Sequence, residues 1–421
     1  MKSITVRLDV DLDPFELGSR SGLLWSRAHS GDPVPLLAGI GEALRIPLSR
    51  PGGATEAQAR LAGLAGPNDL TGPGTGPVAF GALPFDRSSP GELLVPEIVI
   101  GRGVDGRRWL TIVGDGSVGV DDALERSRAT LDGGTAGGAQ AGLPTPQPTS
   151  YDLRSQVGPE VWRDGIVATA RDRIRAGGLQ KVVLARELVL RTDAPIDRTA
   201  VLDRLQATFP SAILFAVDGF LGASPELLVG RHGDVVRAHP LAGTAPRSSD
   251  PAADQVLAAG LLSSTKDRWE HQITIDWLLD GLLPFCSYVD AEPEPSLVSL
   301  ANVHHLGTLV EGRLSSPSAS VLELVAALHP TPAVGGDPQV EALGLIAEIE
   351  RTDRGRYAGP VGWVDAEGNG SFAVGIRSAE IDGLEARLFA GVGVVADSEP
   401  EAELAETRAK FRAMLGAMVQ P

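Results

Sequence analysis

The chain has 421 residues, 43% of them hydrophobic and 22% charged, and a formal charge of −17 at neutral pH. That composition predicts a globular protein with a sizeable core, and its acidic balance excludes nonspecific binding to nucleic acid or to an anionic membrane. The one cysteine, Cys286, allows no internal disulfide and sits in no metal-ligand spacing, and no run reaches the ~18 apolar residues of a membrane span, so a soluble, cytoplasmic protein is expected.

In chain order, residues 77–80 and 92–100 read as strands and 121–131 as a helix, with a loop-like stretch over 52–76. The Gly/Pro-rich run 132–150 is the predicted connector. Beyond it, 161–177 has the spacing of an amphipathic helix, and the strand that begins at Lys181 follows. Residues 211–217 form a predicted buried strand, and 226–231 is set to pair across Gly233 with 235–239. Two helices are predicted, over 252–262 and 266–283. Residues 359–365, 372–381 and 384–395 form a predicted meander, with turns at Gly368-Asn369-Gly370 and Asp382-Gly383, and a last helix spans 401–418. Strand blocks and helix pairs mix without regular alternation, which favours an α+β fold.

The run Lys181-Val-Val-Leu-Ala-Arg186 places one ammonium in an apolar strand, and period-2 alternation aims Lys181, Val183 and Ala185 at one face. A buried amine needs a partner or a lowered pKa, and a neutral lysine is a serviceable general base. An edge-strand lysine snorkelling to water is the alternative. On the helix after Ser264, Asp267 stands as the acid of a capping box, and Glu270, Ile273, Trp277 and Gly281 share one face. A glutamate at the head of an apolar face is costly unless it binds something positive. On the last helix Leu404, Phe411, Leu415 and Met418 make an apolar stripe, and at ~100° per residue Glu403, Glu406 and Lys410 cluster on its flank. Two carboxylates there, with a third on another helix, suit a hard divalent cation; a solvated pairing of Glu406 with Lys410 is the alternative.

In Ser224-Pro-Glu226, Pro225 fixes the turn, and a Glu226 carboxyl against an apolar wall would have a raised pKa suited to a general acid; a strand-start glutamate in water is the other reading. His239-Pro-Leu-Ala-Gly-Thr244 is a Gly-containing turn able to bring backbone N–H groups to a ligand, or an ordinary loop. In 371–377, Phe372, Val374 and Ile376 form the predicted core face. Ser371, Ala373, Gly375 and Arg377 form the other face, leaving space before a guanidinium that could grip a carboxylate; a surface arginine is the alternative. The glycines of Ala390-Gly-Val-Gly-Val394 permit close backbone approach but do not fit the dinucleotide fingerprint.

Together these segments resemble the chorismate-utilising enzymes, the isochorismate, salicylate, anthranilate and aminodeoxychorismate synthases. The resemblance rests on the motifs above together with Lys266-Asp-Arg-Trp-Glu-His271, His305-Leu306, His329-Pro-Thr-Pro-Ala-Val-Gly-Gly336, Arg354-Gly-Arg-Tyr357 and Glu403-Leu-Ala-Glu-Thr407, which occur in the family's order. It implies the fold of aminodeoxychorismate synthase, with large antiparallel sheets packed together and helices outside. One chorismate-binding domain would span 1–421, with a variable half at 1–131, the connector at 132–150 and the catalytic region at 151–418. Lysine at the Lys181 position resembles the water-using members, and Ala242 fills the slot where aminodeoxychorismate synthases often carry a nucleophilic lysine. The 329–336 segment resembles isochorismate synthases, and that activity is the expectation.

The resemblance further implies Mg²⁺ as cofactor and a role for each motif residue. Lys181 would take a proton from the water that attacks C2 of chorismate, and Glu226 would protonate the departing C4 hydroxyl. Glu270 and Glu406 would hold the metal, with Asp267 and Glu403 acting through water. Tyr357, Arg377 and the backbone near Gly393 would meet the side-chain carboxylate, Lys410 would add a cation, and Gly243, Thr244 and His305 would line the substrate. Three positions depart from the common pattern: Asp267 where glutamate is frequent, Val392 between the glycines, and Gly307 at a place resembling a specificity determinant. A monomer without an amidotransferase subunit is expected. Salicylate synthase is the enzymatic rival, and a degenerate ligand-binding subunit the non-enzymatic one.

Overall fold

The computed structural model describes residues 1–27, 34–48, 52–133, 148–301 and 303–419, so the predicted connector lies largely outside the described residues. The described strands form a 12-stranded sheet, a 9-stranded sheet and a small 3-stranded sheet, and their ladders are antiparallel. Strands from the first third of the chain are sewn into both large sheets. Leu23–Arg27 pairs with Ile213–Val217 in the first, and Val78–Ala82 pairs with Pro360–Asp365 in the second. Trp25, Phe80, Phe215, Phe220 and Trp363 are buried in one cluster between the sheets, and such burial of aromatic area dominates core energetics. A second cluster joins the outer face of the first sheet to the helices Arg198–Thr208 and Pro400–Val419.

Besides the link over 41–43, the chain passes directly from one large sheet to the other at three short links, and the last two of these position the site. Residues 92–100, predicted as one strand, are two: Glu92–Val95 in the second sheet and Ile98–Arg102 in the first. Pro96 divides them, since proline cannot donate to a ladder. The second link is Pro225-Glu226, between Phe220–Ser224 in the first sheet and Leu227–His232 in the second. Residues 372–381, also predicted as one strand, divide into Gly370–Val374 and Ser378–Asp382, which lie in different sheets. The third link, over 375–377, carries Arg377 at φ 51°, a left-handed conformation uncommon for a non-glycine residue. The alternation predicted for 371–377 survives within the strand: Phe372 and Val374, with Ile376 against them, pack into one core cluster and Ala373 into another, so both faces are buried.

Two further expectations need correction. The stretch read as a loop over 52–76 contains the helix Gly53–Ala62, which buries Ala57 and Leu61; its glycine-rich surroundings mask an Ala/Gln/Arg/Leu sequence of good helix propensity. The helix Thr265–Leu282 buries His271, Thr274, Ile275, Leu278 and Leu282, so its core face is turned one position from the predicted stripe of Glu270, Ile273, Trp277 and Gly281. Two polar residues, His271 and Thr274, hid that face from a count of apolar spacing. The remaining segments agree closely, including Pro159–Val161 leading through a π-helical turn into Ala168–Ala176, and the hairpin of Leu227–His232 with Val235–His239.

Candidate active site

The strand Lys181–Thr192 is buried over most of its length. At its start, the Gln180 and Val183 amides donate to the Asp337 and Gly335 carbonyls, each at 2.9 Å, and Val183 stands opposite Gly393. Behind it lies a buried ion pair. Arg354 donates to Glu350 Oε2 at 2.9 Å, to the Val183 carbonyl at 2.7 Å and to the Val334 carbonyl at 2.9 Å, while Glu350 Oε1 accepts the Ala185 amide at 2.7 Å. So fixed, Lys181 is 2% exposed and points inward, which excludes an edge lysine reaching water. Its Nζ lies 2.7 Å from Glu270 Oε1. A β-carbon on Gly393 would stand 2.8 Å from that same oxygen, so only glycine lets the carboxylate approach this strand.

The two later sheet-to-sheet links lie side by side and supply an acid and a guanidinium. Ser224 Oγ donates to the Val374 carbonyl at 2.7 Å, the Val374 amide donates to the Glu226 carbonyl at 3.1 Å, and the Ala223 amide donates to the Arg377 carbonyl at 3.0 Å. Glu226 is 3% exposed, and burial pushes its carboxyl up to about 8 against the Leu241 amide and the charges of Lys181, Arg377 and Lys410. At neutral pH it holds its proton. Arg377 is buried, its charge is disfavoured by that burial, and its Nε has no partner among the described residues. Arg377 lines the cavity, and a guanidinium with no carboxylate partner there is a ready site for an anion.

The small sheet contributes the wall. Gly243, at φ 70°, forms a bulge between Ala242 and Thr244 opposite the strand Val303–Gly307. Its carbonyl accepts from His305 Nδ1 at 3.1 Å, which leaves Nε2 as the acceptor facing Arg377 Nη2 at 3.5 Å. Burial, reinforced by the nearby Arg377 charge, drives the imidazole down to about 3, so His305 is a neutral rest for the guanidinium. Tyr357 closes this side, stacked on Phe389 at 5.1 Å.

Two helices bring carboxylates to the opposite side. Burial opposes ionisation of Glu270, but the Lys181 ammonium overcomes it and holds the carboxyl below its ordinary value. On Pro400–Val419, Glu406 pairs with Lys410 at 2.6 Å, and Lys410 also donates to the Gly391 carbonyl at 2.7 Å. Burial, with the Glu406 charge adding to it, raises Glu403 to about 7. Asp267 borders the site, but its carboxylate accepts the Ser264 hydroxyl and its amide donates to Ser264 Oγ at 3.2 Å, so it is tied to Ser264, the N-cap of this helix.

All residues expected from sequence to be catalytic, substrate-binding or metal-binding face one cavity of about 370 Å³. Lys266 and the apolar Ala333 and Val334 face it too, though no role was assigned to them from sequence. The helical spacing of Lys266 four residues before Glu270 was the available signal. Gly307 does not face the cavity: a β-carbon there would meet Leu241, Val298 and His239 within 3.1 Å. Val392 is buried in the core on the other side of its strand. Among the described residues no three acids, imidazoles or thiols stand together as a ready-made metal cage. The donor chemistry nevertheless suits a hard cation, since Glu270, Glu403 and Glu406 all line one cavity and the Glu406 charge opposes ionisation of Glu403.

A family profile described as "Chorismate binding enzyme" matches residues 19–419. The chain belongs to the chorismate-binding enzymes. It is 41% identical over 353 residues to isochorismate synthase DhbC of Bacillus subtilis, covering 81% of each chain. Among solved structures, a putative 2,3-dihydroxybenzoate-specific isochorismate synthase, DhbC from Bacillus anthracis, matches with TM-score 0.77 and 34% identity over 95% of this chain and 96% of that one. MenF, the menaquinone-specific isochorismate synthase of Escherichia coli, matches with TM-score 0.80 and 25% identity over 100% and 94%. Membership of the family agrees with the expected α+β architecture of large antiparallel sheets with helices outside. No helix among the described residues is long and apolar enough to cross a membrane.

Proposed function

We propose that this chain is an isochorismate synthase, converting chorismate to isochorismate for menaquinone or siderophore biosynthesis, as a Mg²⁺-dependent cytoplasmic monomer without an amidotransferase partner. One observation carries the chemistry: a buried lysine and a buried glutamic acid, its carboxyl raised to about 8 by that burial, line one cavity together with Arg377, which has no carboxylate partner among the described residues. An isomerisation that adds water at C2 and expels the C4 hydroxyl needs such a base and such an acid. Lys181, once neutral, takes a proton from the attacking water. Glu226 gives its proton to the departing hydroxyl oxygen. Arg377, seated on His305, and Tyr357 hold the side-chain carboxylate, while Gly243 and Thr244 line the ring and Ala242 offers no amine to compete with water.

Glu270 and Glu406 would hold the metal directly, with Glu403 and Asp267 through water. Mg²⁺ held there would supply positive charge against the ring carboxylate, and Glu270 and Glu406, which otherwise pair with Lys181 and Lys410, would turn to it. The test is product analysis after incubation of the full chain with chorismate and Mg²⁺. Isochorismate approaching equilibrium from either side supports the reading. Stoichiometric pyruvate with salicylate would place the chain with the salicylate synthases, and no consumption of chorismate would leave it a binding subunit.

A further inference from the structure

Four cations face the cavity: Lys181, Lys266, Arg377 and Lys410. Three are already engaged, the buried Lys181 by Glu270, the half-buried Lys410 by Glu406 and the Gly391 carbonyl, and the buried Arg377 by His305. Lys266 differs on both counts. It is exposed, in the first turn of the helix Thr265–Leu282, and it makes no ion pair among the described residues. One turn later on the same helix is Glu270, already neutralised by Lys181, so nothing requires Lys266 as a structural counter-charge. Its charge reaches the site, where it helps hold the Glu270 carboxyl down and opposes the rise of Glu403. A dianion approaching a protein of charge −17 meets a repulsive field, and a cleft with a cation at its rim is the physical remedy.

We propose that Lys266 captures the anionic substrate at the mouth of the cavity, gripping a carboxylate of the incoming dianion before Arg377 and Lys410 receive it. This rests on chorismate being the substrate. Lys266 is then a positioning residue for binding and takes no part in proton transfer.

The experiment is steady-state kinetics of chorismate consumption with saturating Mg²⁺ across ionic strength, for the parent, Lys266→Gln, Lys266→Glu, Lys266→Arg and the remote control Lys2→Gln. For one exposed charge pair in a high-dielectric mouth, Lys266→Gln should raise KM about fivefold at low salt with kcat within about twofold. Lys266→Glu should raise KM further, Lys266→Arg should restore it, and Lys2→Gln should leave it unchanged. At about 0.5 M salt, where screening acts over a few ångströms, the variants should converge. A fall in kcat at saturating substrate, a KM rise that persists in high salt and resists the arginine rescue, or an unchanged KM would each overturn the capture role. A parent that consumes no chorismate would instead overturn the activity on which the proposal rests.

Discussion

Lys181 Nζ lies 2.7 Å from Glu270 Oε1, so the proposed base and a proposed metal ligand are each other's partner. Lys410 and Glu406 repeat the arrangement at 2.6 Å on the terminal helix. The two carboxylates proposed as metal ligands thus each carry an internal ammonium, and a metal would have to compete with it. The competition is electrostatic, and burial makes it strong, because Lys181 is 2% exposed.

Removal of that ammonium separates catalysis from metal binding. Lys181→Met should abolish turnover, since no other basic side chain is assigned to the water. It should also tighten Mg²⁺ binding about tenfold, a factor equal to ~1.4 kcal/mol of relieved competition. Calorimetry with Mg²⁺ alone, beside a turnover assay, checks both arms. Weaker Mg²⁺ binding by the variant would mean that Glu270 does not reach the metal.

The carboxylates themselves should behave oppositely. Glu270→Gln and Glu406→Gln each remove a charged oxygen from the cavity and leave an isosteric amide, so both should lose Mg²⁺ affinity and turnover while the fold survives. Circular dichroism, metal titration and activity with and without EDTA report on these. Full turnover by either variant in excess EDTA would remove the metal from the mechanism.

Glu226 predicts a pH dependence of a definite sign. Its carboxyl is raised by burial from the ordinary 4.5 to about 8, so the proton needed for the leaving hydroxyl is present below that pH and lost above it. kcat/KM should therefore fall along an alkaline limb near pH 8, and Glu226→Gln should bind chorismate but not turn it over. The same shift is a stability statement. The folded state holds a proton that the unfolded chain releases between about 4.5 and 8, so stability from this group is full below the lower value and gone above the upper. Glu403, raised to about 7, acts with the same sign. The fall in Tm on going from acid to mildly alkaline buffer should be smaller in Glu226→Gln than in the parent; an equal fall would contradict the buried, protonated acid.

Much of the site was legible because its residues break local rules. A lysine inside Val-Val-Leu-Ala, a glutamate after Ser-Pro and two glutamates beside an apolar stripe are costly unless used, and the chain places all of them around one cavity. Resemblance supplied what spacing could not, namely that Tyr357, His305 and Gly393 belong with them. The links between sheets were not legible. Nothing local marks 375–377 as a crossing, because Gly370–Val374 and Ser378–Asp382 are both strands and only their partners tell them apart. The buried face of Thr265–Leu282 was missed for a related reason: His271 Nε2 is bonded to Thr308 Oγ1, 2.7 Å away, and a buried polar residue with a distant partner looks like a surface residue in sequence.

The Arg354–Glu350 pair offers the last prediction. Both side chains are nearly inaccessible, at 3% and 2% exposure, and between them they hold the Val183 and Val334 carbonyls and the Ala185 amide. Arg354 also lies over the Phe85 ring, 4.2 Å from its centroid, so packing as well as charge is lost on truncation. Arg354→Ala leaves a buried carboxylate with no counter-charge, at a cost of about 3–5 kcal/mol. Val183 and Ala185 share the face of Lys181, so loosening their carbonyl and amide should also displace the base. The expected outcome in urea or guanidinium unfolding is a lowered midpoint of that size, with kcat reduced even under conditions where the variant is fully folded. A variant that unfolds like the parent and turns over like it would mean that the strand is held by its ladders alone, and that this ion pair neither supports the fold nor aims Lys181.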